Sequence, residues 1–290
     1  MILIGTSGYS FPDWVGPFYP LGTDRGKMLD HYVQHFPTVE VNATYYRIPP
    51  PSTLHAMERK TPPGFEFVVK AHHDMTHKRS LDDEIYQAFA RSVDPLLQAG
   101  KLSGVLAQFP YAFRRTRENE KFLGEMKQRL PEAHLFVEFR HNSWVRDERH
   151  GRSDDIFSWL EEQGLGYVSV DEPDLPGLVP PVARATGSVG YVRLHVPPGA
   201  GTDFAKTVPS AARIRPRLIF SSWISVRWLS ALLSRLDFSI TVHRVVNTTS
   251  SANSTTMNPN RRAICAFIVW PASAPGRRSG AATPSARSWR

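Results

Sequence analysis

Residues 104–139 read GVLAQFPYAFRRTRENEKFLGEMKQRLPEAHLFVEF, and this stretch contains the pattern that decides the fold. Residues 104–109 and 134–139 are short runs rich in β-branched and aromatic residues, which is typical of buried strands. Between them, after the candidate helix cap Thr116, apolar residues recur at helical spacing: Phe122, Leu123, Met126 and Leu130. The stretch therefore predicts a strand, a helix and a second strand, which are joined by a right-handed crossover into a parallel pair.

The same alternation extends over the first 195 residues. Five more β-rich runs lie at residues 2–4, 38–42, 65–70, 166–170 and 190–195. Helical patterns lie between most of them, at residues 28–36, 54–57, 85–96 and 156–160, with candidate caps at Asp82 and Ser153. Seven such strands fit either an open doubly wound sheet or a (β/α)8 barrel. Residues 5–8, GTSG, lack the GxGxxG spacing of a dinucleotide-binding sheet, so we predict a TIM-barrel-like (β/α) barrel.

The composition changes abruptly after His195. Residues 1–195 carry a net charge of −3 and residues 196–290 a net charge of +11, which together give the +8 of the whole chain. We predict a barrel body over residues 1–196, an atypical segment that patches the barrel over 197–240, and a basic tail of low order over 241–290. The barrel is accordingly expected to be incomplete or distorted at its last unit. Apolar stretches at residues 218–220, 223–236 and 266–270 are the candidates to cover the gap.

Bulk properties narrow the classes of function. No apolar run approaches the roughly 20 residues that span a bilayer, and the N-terminus does not have the pattern of a secretory signal. The single cysteine, Cys265, cannot form an intrachain disulfide. We therefore expect a cytoplasmic protein with no membrane association. The negative charge of the body makes nucleic acid an unfavoured partner, and the oligomeric state is left open.

Polar residues recur where the predicted strands end. Side chains alternate faces along a strand, so residues two apart point the same way. The strand ends carry Glu40 and Asn42, Lys70, Gln108, Glu138 and Arg140, Asp171, and Arg193 and His195. In a (β/α) barrel the carboxyl ends of the strands form the rim on which catalytic side chains lie. We predict that six of these residues surround a common hollow: Glu40, Lys70, Gln108, Glu138, Asp171 and Arg193.

Two interpretations of this ring remain open. In one, the charges form a self-satisfied network that stiffens the mouth of the barrel. In the other, they form an active site for a small-molecule substrate, with Glu138 as leading general acid or base and with Glu40 and Asp171 as its partners. Lys70 could form a Schiff base if it is desolvated beside Arg140 or Arg193. The two arginines, with His195, are predicted to bind an anionic or polar substrate.

The loops after the strands supply further candidates. Aromatic side chains there either pack the loops or wall a pocket, and we predict the second role for Trp14, Tyr45, Tyr46 and Trp144. Asn42, His77, Gln108 and His141 complete the predicted substrate-binding set. The sequence HHDMTH over residues 72–77 suggests metal binding but matches no firm zinc spacing. We expect no metal and no cofactor.

Several of these segments resemble the YecE-like family, domain of unknown function 72. They are GTSGY at residues 5–9, WVGPFYP at 14–20, EVNATYYRIP at 40–49, FEFVVK at 65–70, TH at 76–77, QFP at 108–110, EFRHNSW at 138–144 and YVRLH at 191–195. The resemblance covers about residues 1–195. It implies a TIM-barrel-like fold and no particular reaction, and its shared polar residues coincide with the strand-end set.

The resemblance weakens after residue 195. The family continues with an aromatic-rich stretch and later with a strand that ends in paired asparagines, whereas Arg, Ser, Ala, Thr and Pro dominate residues 247–290. We hypothesise that the last third is translated out of frame, which would make this copy an inactive product. The coding DNA tests this: a neighbouring reading frame must restore a family-like ending. The rival hypothesis is a genuine basic tail that binds nucleic acid or acidic partners.

Overall fold

Eight parallel strands close into a barrel in chain order. The computed structural model describes residues 2–145, 156–171, 175–180, 182–195 and 262–268, without the side chains of Ile2, Asp171, His195 and 262–268. The strands are β1 (Ile2–Ser7), β2 (Thr38–Val41), β3 (Glu66–Lys70), β4 (Leu102–Gln108), β5 (Leu135–Glu138), β6 (Leu165–Asp171), β7 (Val189–His195) and β8 (Arg262–Ile268). The TIM-barrel-like prediction is confirmed, and all seven predicted strands are present.

The barrel is closed by a strand from the basic C-terminal segment. β8 pairs in parallel with β7 and with β1, so the ring of strands has no open edge. The closing strand overlaps residues 266–270, one of the stretches expected to cover the gap in the last unit. The other two candidates, residues 218–220 and 223–236, lie outside the described residues. The division of the chain into three segments stays a prediction.

Seven α-helices lie in the described part of the chain. They are α1 (Arg25–Tyr32), α2 (Ala43–Tyr46), α3 (Pro51–Arg59), α4 (His73–Thr76), α5 (Asp83–Gln98), α6 (Arg117–Arg129) and α7 (Ile156–Glu162). Two predicted caps are seen: Asp82 accepts from the amide of Glu84 at 3.0 Å, and Thr116 from that of Asn119 at 3.2 Å. Ser153, the third predicted cap, lies outside the described residues.

Two apolar clusters lie among the described residues of the barrel. The larger one lies between the strands and the helices, and the smaller one fills the barrel interior with Val68, Leu106, Phe136, Val168, Val170 and Tyr191. A Cβ on Gly104 or Gly166 would come within 2.5 or 2.6 Å of the Phe136 ring, so the two glycines leave the space that this ring occupies.

The interior layer fixes the position of the polar rim. Val68, Leu106 and Phe136 each precede a polar residue by two positions on the same strand: Lys70, Gln108 and Glu138. Side chains two apart share a face, so the polar layer lies directly on the apolar one, toward the carboxyl ends of the strands. No helix among the described residues is long and apolar enough to cross a membrane.

Candidate active site

The centre of the polar layer is a buried ion pair between β2 and β7. The Arg193 guanidinium donates to both oxygens of Glu40, from Nε at 2.9 Å and from Nη2 at 3.0 Å. Arg193 is 2% exposed and Glu40 1% exposed. Such a forked pair combines two charge-assisted hydrogen bonds and fixes the orientation of both groups. It joins residues that are 153 positions apart in the chain.

A second carboxylate shares the same guanidinium. Arg193 also donates through Nη1 to Oε2 of Glu138, a fully buried residue on β5. The other oxygen of Glu138 accepts from Gln108 Nε2 at 2.7 Å and lies 2.7 Å from Nη2 of Arg140. Both oxygens of Glu138 are therefore engaged by donors, which stabilise its negative charge.

The charge of Glu40 is stabilised in the same way. Burial alone would raise the pKa of Glu40, but the Arg193 charge and hydrogen bonds from Ser7 and Tyr191 hold it below its usual range. Ser7 Oγ donates to Glu40 at 2.6 Å, and Asn42 donates to Ser7 Oγ at 2.7 Å. Burial and the neighbouring Glu40 raise the pKa of Tyr191, so its hydroxyl stays a protonated donor.

Lys70 lies at the edge of this network. Its ammonium donates to the Gln108 amide oxygen at 2.5 Å, and Nζ is 4.7 Å from the centre of the Tyr45 ring. Among the described side chains, no carboxylate oxygen lies within 4.0 Å of Nζ. Burial and the Arg193 charge lower the pKa of Lys70, and Glu40 and Glu138 only partly offset this. A half-buried lysine of this kind has the properties of a base or a nucleophile.

An aromatic group covers Lys70 on the loop side. The half-buried Tyr45 ring is 5.2 Å from the ring of exposed His77 and 5.1 Å from that of Tyr46, which is 75% exposed. Burial, together with Lys70 and His73, lowers the pKa of His77. The structure thus places the predicted residues Tyr45, Tyr46 and His77 together beside Lys70.

Other predicted residues lie elsewhere. Trp144 is fully buried, stacks on Phe139 at 4.1 Å, and donates its indole N–H to the Phe113 carbonyl at 2.7 Å. The prediction of Trp144 as a pocket wall is corrected, because its whole side chain packs in the outer core. Trp14 is half-buried among loop aromatics, 4.9 Å from the Phe11 ring.

His141 also has a local structural partner. Its Nδ1 accepts from the amide of Ser143 at 3.0 Å, which caps the short 3-10 helix Asn142–Trp144. Its ring lies 4.8 Å from that of Tyr111. Burial and the charge of Arg114 lower the pKa of His141. Asp171 and His195 are the last residues of β6 and β7, as expected, and the structure does not describe their side chains.

One group of side chains in the described ranges has ligand atoms close enough to hold a metal ion. Ligand atoms of His72, His73 and Asp74 lie within 4.8 Å of one another. Asp74 is, however, already bound by His73 Nδ1 at 2.7 Å and by the Lys78 ammonium at 2.6 Å. A lysine charge on the shared carboxylate opposes a cation there. The expectation of no metal stays a prediction.

Two members of the network were not in the predicted set. Tyr191 precedes Arg193 by two residues, so strand alternation alone would have placed both in the barrel interior. Ser7 was missed because the predicted first strand ends at residue 4, whereas β1 continues to Ser7. Extending that strand through the small residues Gly5 and Thr6 would have brought Ser7 to the rim.

Fold and site together define a (β/α)-barrel protein with a buried polar network at the carboxyl ends of its strands. The chain belongs to the family described as protein of unknown function DUF72, whose model matches residues 3–246. This confirms the YecE-like resemblance, and the match continues beyond the predicted limit at residue 195. The hypothesis of a shifted reading frame stays a prediction.

Two relatives share the designation UPF0759. The chain is 35% identical to the UPF0759 protein YunF of Bacillus subtilis over 203 residues, which cover 67% of this chain and 70% of YunF. It is 30% identical to the UPF0759 protein YecE of Escherichia coli K12 over 229 residues, covering 77% and 80% of the two chains.

Solved structures of the family have the same fold. A DUF72 family protein of Thermotoga maritima aligns with a TM-score of 0.66 and 29% identity, covering 92% of both chains. One from Enterococcus faecalis aligns with a TM-score of 0.68 and 22% identity, covering 92% of this chain and 89% of its own. The similarity to the Enterococcus faecalis protein shows the shared fold only.

Proposed function

We propose that this protein is an enzyme that acts on a small polar or anionic substrate at the carboxyl-terminal rim of the barrel. The observation that carries the proposal is the environment of Lys70. Its amine is half-buried, held by an amide oxygen instead of a carboxylate, and its pKa is lowered by burial and by Arg193. Hydrolysis, elimination and isomerisation all need a group that transfers a proton, and a lysine whose pKa is lowered suits that role better than an ordinary one.

The geometry favours Lys70 over Glu138 as the group that acts on the substrate. Glu138 is fully buried, and donors engage both its oxygens, so it is poorly placed to take up a proton. Glu40 is held ionised in the same manner. The two carboxylates and Arg193 then form a fixed support that positions Gln108, and Gln108 in turn positions Lys70. Asp171 stays a candidate partner.

The test is turnover of pooled small metabolites by the wild type and by lysine variants. Lys70→Met is expected to lower kcat/KM by about 10²–10⁴-fold, because the proton-transfer group is lost. Lys70→Arg keeps the charge but cannot release a proton, so it is expected to fail as well. Lys121→Met, at a side chain 77% exposed, is the matched control. Unchanged turnover in Lys70→Met would contradict the proposal.

Chemical labelling of Lys70 against pH gives an independent check. Only the neutral amine reacts with an acylating reagent, so the labelling rate rises with pH through the pKa of the group. Because the pKa of Lys70 is lowered from 10.5, half-maximal labelling is expected below pH 10.5. An unstructured lysine peptide in the same tube is the reference, and peptide mass spectrometry measures the labelling. A Lys70 midpoint at or above that of the peptide would contradict the assignment.

A second candidate is a non-catalytic binder. The buried Glu40–Arg193–Glu138 network is consistent with it, because every charge in it already has a partner. It predicts ligand binding without turnover. Binding to nucleic acid would weaken steeply with salt, whereas a small ligand in the barrel mouth would respond weakly. An inactive frameshifted product would show neither turnover nor ligand binding.

A further inference from the structure

Lys70 has surroundings that suit covalent chemistry better than simple charge pairing. A lysine that only binds an anion gains from full protonation, yet burial and the Arg193 charge lower the pKa of Lys70 and disfavour its ammonium. The amine is half-buried and touches a neutral amide at 2.5 Å and an aromatic face at 4.7 Å. Arg193 lies behind Gln108 in the same polar layer and adds positive charge. The amide oxygen and the aromatic face stabilise the ammonium, but burial and the Arg193 charge outweigh them, so the fraction of neutral, nucleophilic amine is increased.

Gln108 gives that amine a fixed position. Its amide nitrogen donates to Glu138 at 2.7 Å, so its amide oxygen must point to Lys70. The chain of contacts from Arg193 through Glu138 and Gln108 therefore ends on Nζ. A neutral amine can still donate one hydrogen to Gln108 and present its lone pair elsewhere. The half-buried Tyr45 ring limits the directions from which a substrate can approach.

We propose that Lys70 forms an imine with a small aldehyde or ketone bound at the rim of the barrel. This rests on the proposed enzymatic function and names its substrate class. Nζ attacks the carbonyl carbon, the C–N bond forms, and the carbonyl π pair moves to oxygen, which takes up a proton. Nζ then loses a proton, and the carbinolamine expels water as the C=N bond forms. The balance is one amine plus one carbonyl to one imine plus one water, with no oxidant or reductant.

The same geometry supports this substrate class. An imine needs a nucleophilic amine with no carboxylate in contact, since an ion pair would keep it protonated. Among the described residues, Lys60, Lys78, Lys101 and Lys121 each lie within 4.0 Å of a carboxylate oxygen, whereas Lys27, Lys70 and Lys127 do not. Lys27 is exposed and Lys127 donates to three backbone carbonyls, so Lys70 is the lysine of these three that lies at the rim of the barrel. Arg140, two residues beyond Glu138, is partly exposed and could contact a carboxylate or hydroxyl on the substrate.

Reductive trapping tests the proposal on the full-length protein. The protein is incubated separately with glycolaldehyde and with pyruvate, each with cyanoborohydride, and the adducts are located by peptide mass spectrometry. We expect Lys70 to be labelled several-fold faster than Lys121 by at least one probe. A larger ratio of Lys70 to Lys121 labelling with pyruvate would indicate a carboxylate-bearing substrate, and a larger ratio with glycolaldehyde a hydroxylated one. Lys70→Met is expected to lose the fast adduct, and Lys121→Met to keep it.

The outcomes separate this proposal from the function on which it rests. Equal labelling of Lys70 and Lys121 by both probes would overturn the imine. If Lys70→Met still abolished turnover in the metabolite screen, Lys70 would act as a base and the proposed enzyme would stand. If neither measurement singled out Lys70, both would fail. Thermal unfolding of each variant shows whether a lost adduct reflects a lost fold.

Discussion

Replacing Arg193 by Met is expected to lower the free energy of unfolding by about 3–5 kcal/mol, because it leaves two buried carboxylates without their shared partner. Arg193 donates to Glu40 at 2.9 and 3.0 Å and also to Glu138. Met fills much of the same volume, so the loss measures the uncompensated charges more than a cavity. Urea unfolding followed by circular dichroism gives the value.

Arg129→Met is the matched control for that experiment. Arg129 pairs with Asp83 at 2.8 Å, but the carboxylate is 68% exposed. An ion pair whose carboxylate is open to solvent contributes about 0–1 kcal/mol, so the control is expected to lose much less stability than Arg193→Met. Similar losses in the two variants would mean that the Arg193 network is not buried as described.

Trp144→Ala is expected to destabilise the fold by about 3–5 kcal/mol, the range for removing a large buried aromatic side chain. The indole is fully buried, stacks on Phe139 and donates to the Phe113 carbonyl. The variant loses the packing and also leaves that carbonyl without its indole donor. Thermal and urea unfolding measure the effect.

Tyr46→Ala separates a core role from a pocket role. Tyr46 is 75% exposed, so its loss is expected to change the unfolding free energy by no more than about 0.5 kcal/mol. If Tyr46 contacts the substrate, turnover falls while stability does not. The same pattern for Trp144, unchanged stability with lost turnover, would restore its original prediction as a pocket wall.

Strand periodicity was sufficient to predict the barrel and most of the polar network. Glu40, Gln108, Glu138 and Arg193 were placed on one face from alternation alone, and the structure brings their side chains into contact. The reason is physical: buried parallel strands keep a strict two-residue period, and their carboxyl ends meet at one rim. Asp171 belongs to the same series by its position at the end of β6.

Long-range features could not be predicted in the same way. The role of Trp144 depends on Phe113, which lies 31 residues earlier, and no local pattern reports that contact. The closing strand β8 lies in a segment whose composition suggested low order. Whether Glu138 or Lys70 suits proton transfer depends on which hydrogen-bond partners surround each group. That arrangement is a property of the assembled barrel.

A double-mutant cycle between Glu40 and Arg193 tests most directly whether the strand ends converge inside the barrel. The unfolding free energies of Glu40→Gln, Arg193→Met and the double variant are compared with that of the wild type. We predict a coupling energy of at least about 1 kcal/mol, with the double variant less destabilised than the two single losses added together. Losses that add within about 0.5 kcal/mol would mean that the two side chains do not meet, and would contradict the account.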